Sequence, residues 1–224
     1  MKYFFLNLLL IAFLSNTKTV RADYSPTPLN YMILEADLAV YGEIDSVIDN
    51  YFFLKIKNKV FGDYNDTIIK VKKFQNWRCA QRWTKYEVGQ NVFLFLVKDT
   101  NKDWSIMSGG GEGEIPIVNE NIFLYACYGL YMPFVNFVRI DTSGKHISKK
   151  FEVYEIYGAN FSGVKFKLDE FTDAVAGIRA CFHLTKGKYR IEDKIKFICT
   201  DEKLNNYKSK SKLNNWLTEE CMKW

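Results

Sequence analysis

Between residues 52 and 60, apolar and cationic side chains alternate: Phe52, Leu54, Ile56 and Val60 occupy even positions, and Lys55, Lys57 and Lys59 the odd ones. Successive side chains of a strand point to opposite sides, so this pattern demands a β-strand with one buried and one wet face. The same period runs on either side of it. Leu38, Val40, Gly42 and Ile44 alternate with Ala39, Tyr41 and Glu43, and Ile69 and Val71 lie between Lys70 and Lys72. Gly62-Asp63-Tyr64-Asn65-Asp66 supplies turn residues between the second and third runs, so residues 38–73 are predicted to form a three-stranded antiparallel meander.

Further on, Val92-Phe93-Leu94-Phe95-Leu96-Val97 is apolar without interruption, as a strand covered on both faces must be. Trp104 to Ser108 reads as its hairpin partner. Ile115–Val118, Ile122–Tyr125, Phe151–Tyr157 and Val164–Leu168 read as further strands. The period then changes to that of a helix: Phe171, Ala174, Val175, Ile178 and Cys181 follow Asp169, an N-cap residue type, and predict a helix over 169–182. Leu29–Ala36 predicts a short helix, and Leu213, Trp216, Leu217 and Cys221 a short amphipathic one. Many short strands followed by helices specify an all-β to α+β fold, a small β-barrel with a C-terminal helix packed on it. The expected organisation is a barrel domain over 23–185 and a C-terminal appendage over 186–224. An aromatic content of 17% is ample material for one core.

The region before this domain reads as a secretory signal peptide. Lys2 precedes an apolar stretch from Tyr3 to Leu14, and Val20-Arg21-Ala22 fits a cleavage site before Asp23. The stretch is too short for a permanent transmembrane helix, and no stable membrane anchor is expected. A secreted or periplasmic protein follows. Loss of Lys2, Lys18 and Arg21 would bring the formal charge from +5 to about +2, which argues against nucleic acid as a partner. The lysine-rich stretches at Lys55/Lys57/Lys59, Lys70/Lys72/Lys73 and Lys208/Lys210/Lys212 read as solvated faces. Five cysteines, Cys79, Cys127, Cys181, Cys199 and Cys221, lie beyond the signal, where disulfides form. An odd number leaves one unpaired, and the expected bridges are Cys79–Cys181 and Cys199–Cys221.

Ala36-Asp37-Leu38-Ala39-Val40-Tyr41-Gly42-Glu43-Ile44, the turn Lys59-Val60-Phe61-Gly62-Asp63, Cys79, and Tyr86-Glu87-Val88-Gly89-Gln90-Asn91-Val92-Phe93-Leu94-Phe95-Leu96 follow in an order that resembles the netrin-like module of tissue inhibitors of metalloproteinases. That resemblance spans roughly residues 30–125 and implies an OB-type barrel. Residues 151–182 also resemble the tail of exported proteins of Bacteroidetes type. Inhibitors of that family begin with a cysteine that chelates the target's zinc, whereas the expected N-terminus here is Asp23-Tyr24-Ser25-Pro26, so their inhibitory residues do not carry over.

Chemistry-bearing motifs are sparse. The glycines from Gly109 to Gly113 are followed by Glu114 and Pro116 rather than by a helix start or a Lys-Ser pair, so a turn between strands is favoured over a phosphate loop. His183 and Cys181 are too close in sequence to share a helix face, and no metal site or cofactor is expected. Trp77, Arg78, Arg82 and Trp83 form an aromatic and cationic cluster that either plugs the barrel or meets a sugar or protein partner. With Gly110 and Glu112, these are the candidate binding residues. Asn65-Asp66-Thr67 and Asn160-Phe161-Ser162 match the N-glycosylation sequon. The resulting expectation is an exported, non-catalytic module binding an extracytoplasmic protein or glycan. The alternatives are a hydrolase using Glu112 and Glu114, and a structural envelope component.

Overall fold

The computed structural model describes residues 25–78, 80–109, 111–129, 131–135, 138–142 and 146–224. The predicted meander is present as β1 (Leu38–Ile48), β2 (Tyr51–Phe61) and β3 (Ile68–Lys72), paired antiparallel in sequence order. The apolar run forms β4 (Asn91–Lys98), with β5 (Trp104–Ile106) antiparallel beside it. Two further pairings close the sheet on itself: β5 lies parallel to β3, and β4 lies antiparallel to β1. The cyclic order β1-β2-β3-β5-β4 makes a closed five-stranded barrel of OB type.

β1 therefore has a full neighbour on both edges. Gly42 permits this, because a Cβ there would lie 2.1 Å from the Lys55 carbonyl oxygen, and the β1–β2 register shifts beside it. The uninterrupted apolarity of β4 is explained by its position between two cores. Val92, Leu94 and Leu96 point into the barrel with Leu38, Val40, Phe52, Leu54, Ile69 and Val71. Phe93 and Phe95 point outward, into a larger core shared with the helices.

From β4 the sheet extends outward through β6 (Glu114–Val118), β7 (Asn121–Tyr125), β11 (Ala159–Lys167) and β10 (Glu152–Ile156). Between β7 and β10 lie the single-turn α2 (Ala126–Gly129) and a separate hairpin, β8 (Val138–Thr142) with β9 (His146–Lys150). α1 (Leu29–Glu35) and α3 (Leu168–Cys181) cover the outer face of the barrel. Phe171 on α3 meets Phe93 edge to face with ring centres 5.1 Å apart, the contact that docks helix on barrel. α3 starts one residue before the expected cap. Asp169 is inside its first turn, where its carboxylate meets the Glu170 amide and the positive end of the helix dipole, and the N-cap is Lys167.

After α3 come β12 (Phe182–Thr185), a 3-10 turn at Arg190–Glu192, β13 (Lys194–Phe197), α4 (Asp201–Lys210) and α5 (Lys212–Met222). The sequence pattern located α5 but not α4, whose buried stripe is only Leu204 and Tyr207. The division drawn at residue 185 falls inside one packed body: Leu204, Tyr207, Leu213, Trp216, Leu217 and Cys221 belong to the same core as Phe93 and Phe171. The bridges differ from expectation as well. Cys181 pairs with Cys199, and Cys221 is a free, buried thiol, because β12 and β13 form a hairpin that returns Cys199 to the end of α3. Cys79 lies outside the described residues. No helix among the described residues is long and apolar enough to cross a membrane, and residues 1–24, which hold the expected signal, also lie outside them.

Candidate binding surface at the barrel end

The segment between β3 and β4 has little regular structure, and one arginine organises it. Arg82 is buried, and all five of its N–H groups are used. Nε and Nη2 donate to Glu114 Oε1 at 2.9 and 2.6 Å, Nη2 also donates to Gln90 Oε1, and Nη1 donates to the carbonyls of Thr84 and Lys85. Its guanidinium plane lies between the rings of Trp83 and Tyr86, 3.9 and 4.0 Å from their centres. The second oxygen of Glu114 accepts the Tyr86 hydroxyl at 2.9 Å, and that hydroxyl accepts the Phe74 amide. Burial, and then the Glu114 charge, push the Tyr86 phenol well above its ordinary range. The donors and the acceptor are so fully matched that the ion pair is a fixed plug, with Trp83 buried against Tyr157.

Glu112 sits on the other side of the same loop region. It is buried, and its Oε2 accepts the Thr27 amide at 3.1 Å and the Ser108 hydroxyl. The Thr27 hydroxyl is 2.6 Å from that of Ser108, so the segment entering α1 is fastened to the loop before β6 without a disulfide. The glycines of that loop are packing residues. A Cβ on Gly111 would overlap the Tyr125 ring at 1.6 Å, and one on Gly113 would lie 2.0 Å from the Met107 carbonyl oxygen. Gly110 is outside the described residues.

The candidate residues thus separate into two groups. Arg82, Trp83 and Glu112 are interior, whereas Arg78 is exposed and Trp77 presents 47% of its surface. Trp77 and Ala80 bracket a tight turn, joined by reciprocal backbone hydrogen bonds. Ala80 and Gln81 line a cleft of about 220 Å³ together with Pro26, Gly111, Glu112, Tyr125 and Cys127. Burial, and then the Glu112 charge, push the Cys127 thiol up to about 11. The surface unites an exposed indole and guanidinium with a small, mostly apolar cleft. The rigid arginine plug behind it was not legible in the sequence, because Glu114 lies 32 residues beyond Arg82.

His183 is exposed on β12 and Cys181 is disulfide-bonded, so they share no site. Asn65 and Asn160 are both exposed. No family model, no curated protein and no solved structure matches this chain.

Proposed function

We propose that this protein is an exported, non-catalytic binding module, an OB-type barrel that meets an extracytoplasmic protein or glycan through the Trp77–Arg78 turn and the adjoining cleft. The observation that carries this reading is the exposure of nearly half of Trp77 on a segment whose interior is fixed by the fully satisfied Arg82–Glu114 pair. An indole on a rigid support loses little entropy on contact, which favours stacking on a sugar or insertion into a partner. Export is supported by the signal-like sequence of residues 1–22 and by the Cys181–Cys199 disulfide. The netrin-like resemblance is compatible with a barrel of this strand order. The hydrolase alternative finds no support in the acids that suggested it: Glu114 is wholly buried with both oxygens occupied, and Glu112 holds Thr27 and Ser108.

The test is a titration of tryptophan emission with a panel of polysaccharides and purified extracellular proteins, comparing the parent with Trp77→Ala. A saturable response to one ligand that Trp77→Ala abolishes, with an unchanged melting curve, supports the reading. Equal binding by parent and variant sinks the assignment of the surface.

A further inference from the structure

The sequence between Cys181 and Cys199 makes a second surface that the barrel does not use. β12 and β13 pair as an isolated two-stranded hairpin, with the disulfide joining the residues at its base. One face, carrying Phe182 and Leu184, joins the core. His183, Thr185, Lys194 and Lys196 occupy the other, exposed face. Lys188, Tyr189, Arg190 and Ile191 make the exposed tip, where Ile191 is 93% and Tyr189 60% accessible. Ile198, at the base, is 59% accessible. A branched aliphatic side chain held almost wholly in water at the end of a stapled hairpin has no role in this fold's packing.

The tip is nonetheless well formed. Asp193 is buried beneath it, accepting the Tyr31 hydroxyl at 2.6 Å and the Gly187 amide at 2.8 Å. Glu192 accepts the Lys188 amide at 2.9 Å and closes the 3-10 turn. Both carboxylates of the tip therefore serve backbone and core, and Lys186 is matched by Glu35. Among the described residues, Lys188, Lys194 and Lys196 are exposed with no carboxylate in salt-bridge contact, Lys188 at the tip and the other two along β13, whereas the Arg190 guanidinium lies 4.3 Å from the centre of the Tyr31 ring.

From this we infer that the disulfide-stapled 182–198 hairpin is a peripheral membrane-docking element: Ile191 and Tyr189 enter the headgroup boundary of an anionic phospholipid bilayer while Lys188, Lys194 and Lys196 engage its phosphates. Apolar burial and attraction of basic side chains to anionic lipids are the two contributions that hold interfacial elements on bilayers. The positive charge of these lysines selects an anionic bilayer over a neutral one. The preformed hairpin lowers the ordering cost of docking. Such binding is reversible and differs from a transmembrane anchor. It is independent of the Trp77 surface.

Sedimentation with vesicles tests it, using phosphatidylcholine alone and phosphatidylcholine mixed three to one with phosphatidylglycerol. The parent protein is expected to pellet with the anionic vesicles only, and less so as salt rises. Lys188→Glu combined with Lys194→Glu should weaken partitioning by about tenfold or more. Ile191→Ser, which keeps every charge, should also weaken it. These positions are solvent-exposed, so unchanged melting curves are expected and serve as the folding control. Failure of the parent to bind anionic vesicles at low salt, equal binding to neutral ones, or variants that bind like the parent would each overturn the inference, the first leaving a protein with an acid-rimmed apolar pocket as the tip's partner.

Discussion

At the residue scale, Arg82 holds the segment between β3 and β4 with five hydrogen bonds from a buried side chain. Its value lies in matched geometry. A buried ion pair gains little over apolar residues of the same shape, but removing one partner strands the other charge without solvent. Arg82→Ala is therefore expected to destabilise by about 3–5 kcal/mol, and Arg82→Lys to recover little, because an ammonium cannot serve all four of the acceptors that the planar guanidinium reaches. Urea unfolding measures both. Trp77→Ala should change stability by less than about 1 kcal/mol in the same experiment, as exposed positions do. The sequence placed Arg78, Arg82, Trp77 and Trp83 together but could not sort them. What distinguishes Arg82 from Arg78 is a carboxylate delivered by β6, a long-range pairing that no local pattern reveals.

Among elements, the 182–198 hairpin and α4 show where local patterns stop being informative. Helix α3 was legible from its stripe of Phe171, Ala174, Val175, Ile178 and Cys181. α4 was not, because it needs only Leu204 and Tyr207 to dock and is otherwise polar. The counterpart of that docking is Gly177, where a Cβ would lie 2.0 Å from the Tyr207 ring, whose hydroxyl donates to the Ala174 carbonyl at 2.8 Å. Gly177→Ala should lift α4 from α3 and cost about 1–3 kcal/mol despite its better helix propensity, read as a fall in melting temperature. Closing a loop with a sequence separation of 18 by the Cys181–Cys199 bridge should stabilise by about 3 kcal/mol. Cys181→Ser with Cys199→Ser removes it. The Asp193 carboxyl is held below its ordinary range by the Tyr31 hydroxyl and the Gly187 amide. Its contribution is present above the unfolded-state value of 3.8 and is lost as the pH falls through its lower folded value, so the tip should loosen in acid. Amide exchange at Gly187 and Lys188 across the acid range would show it.

For the whole molecule, the predominant electrostatic feature is a set of neutral acids in the interior. Burial raises the phenols of Tyr86, Tyr207 and Tyr125, the last to about 12, and the thiol of Cys221 to about 12. Each must lose its proton more readily in the unfolded chain than in the folded one. Their stabilisation is complete below the unfolded-state values of 9.0 for the thiol and 10.0 for the phenols, and is lost as pH rises through the folded values. Stability is thus expected to hold from neutrality to about pH 9 and to fall steeply beyond it, checked by denaturant midpoints in alkaline buffers. The barrel itself was legible, since alternation in β1 to β3 and the continuous apolar run of β4 specify one-sided and two-sided burial. Disulfide pairing was not, because it depends on how the β12–β13 hairpin folds back rather than on spacing.

The double pairing of β1 also sets an order of events. Its β2 edge is satisfied by a two-residue turn, but its β4 edge waits for Asn91–Lys98, far along the chain. Until then an open β1 edge and, later, the stretch Val92–Val97 both face solvent. Long-range closure of this kind slows folding and invites pairing between chains, so refolding yield should fall with protein concentration, and a chain emerging into any compartment would need shelter until β4 arrives.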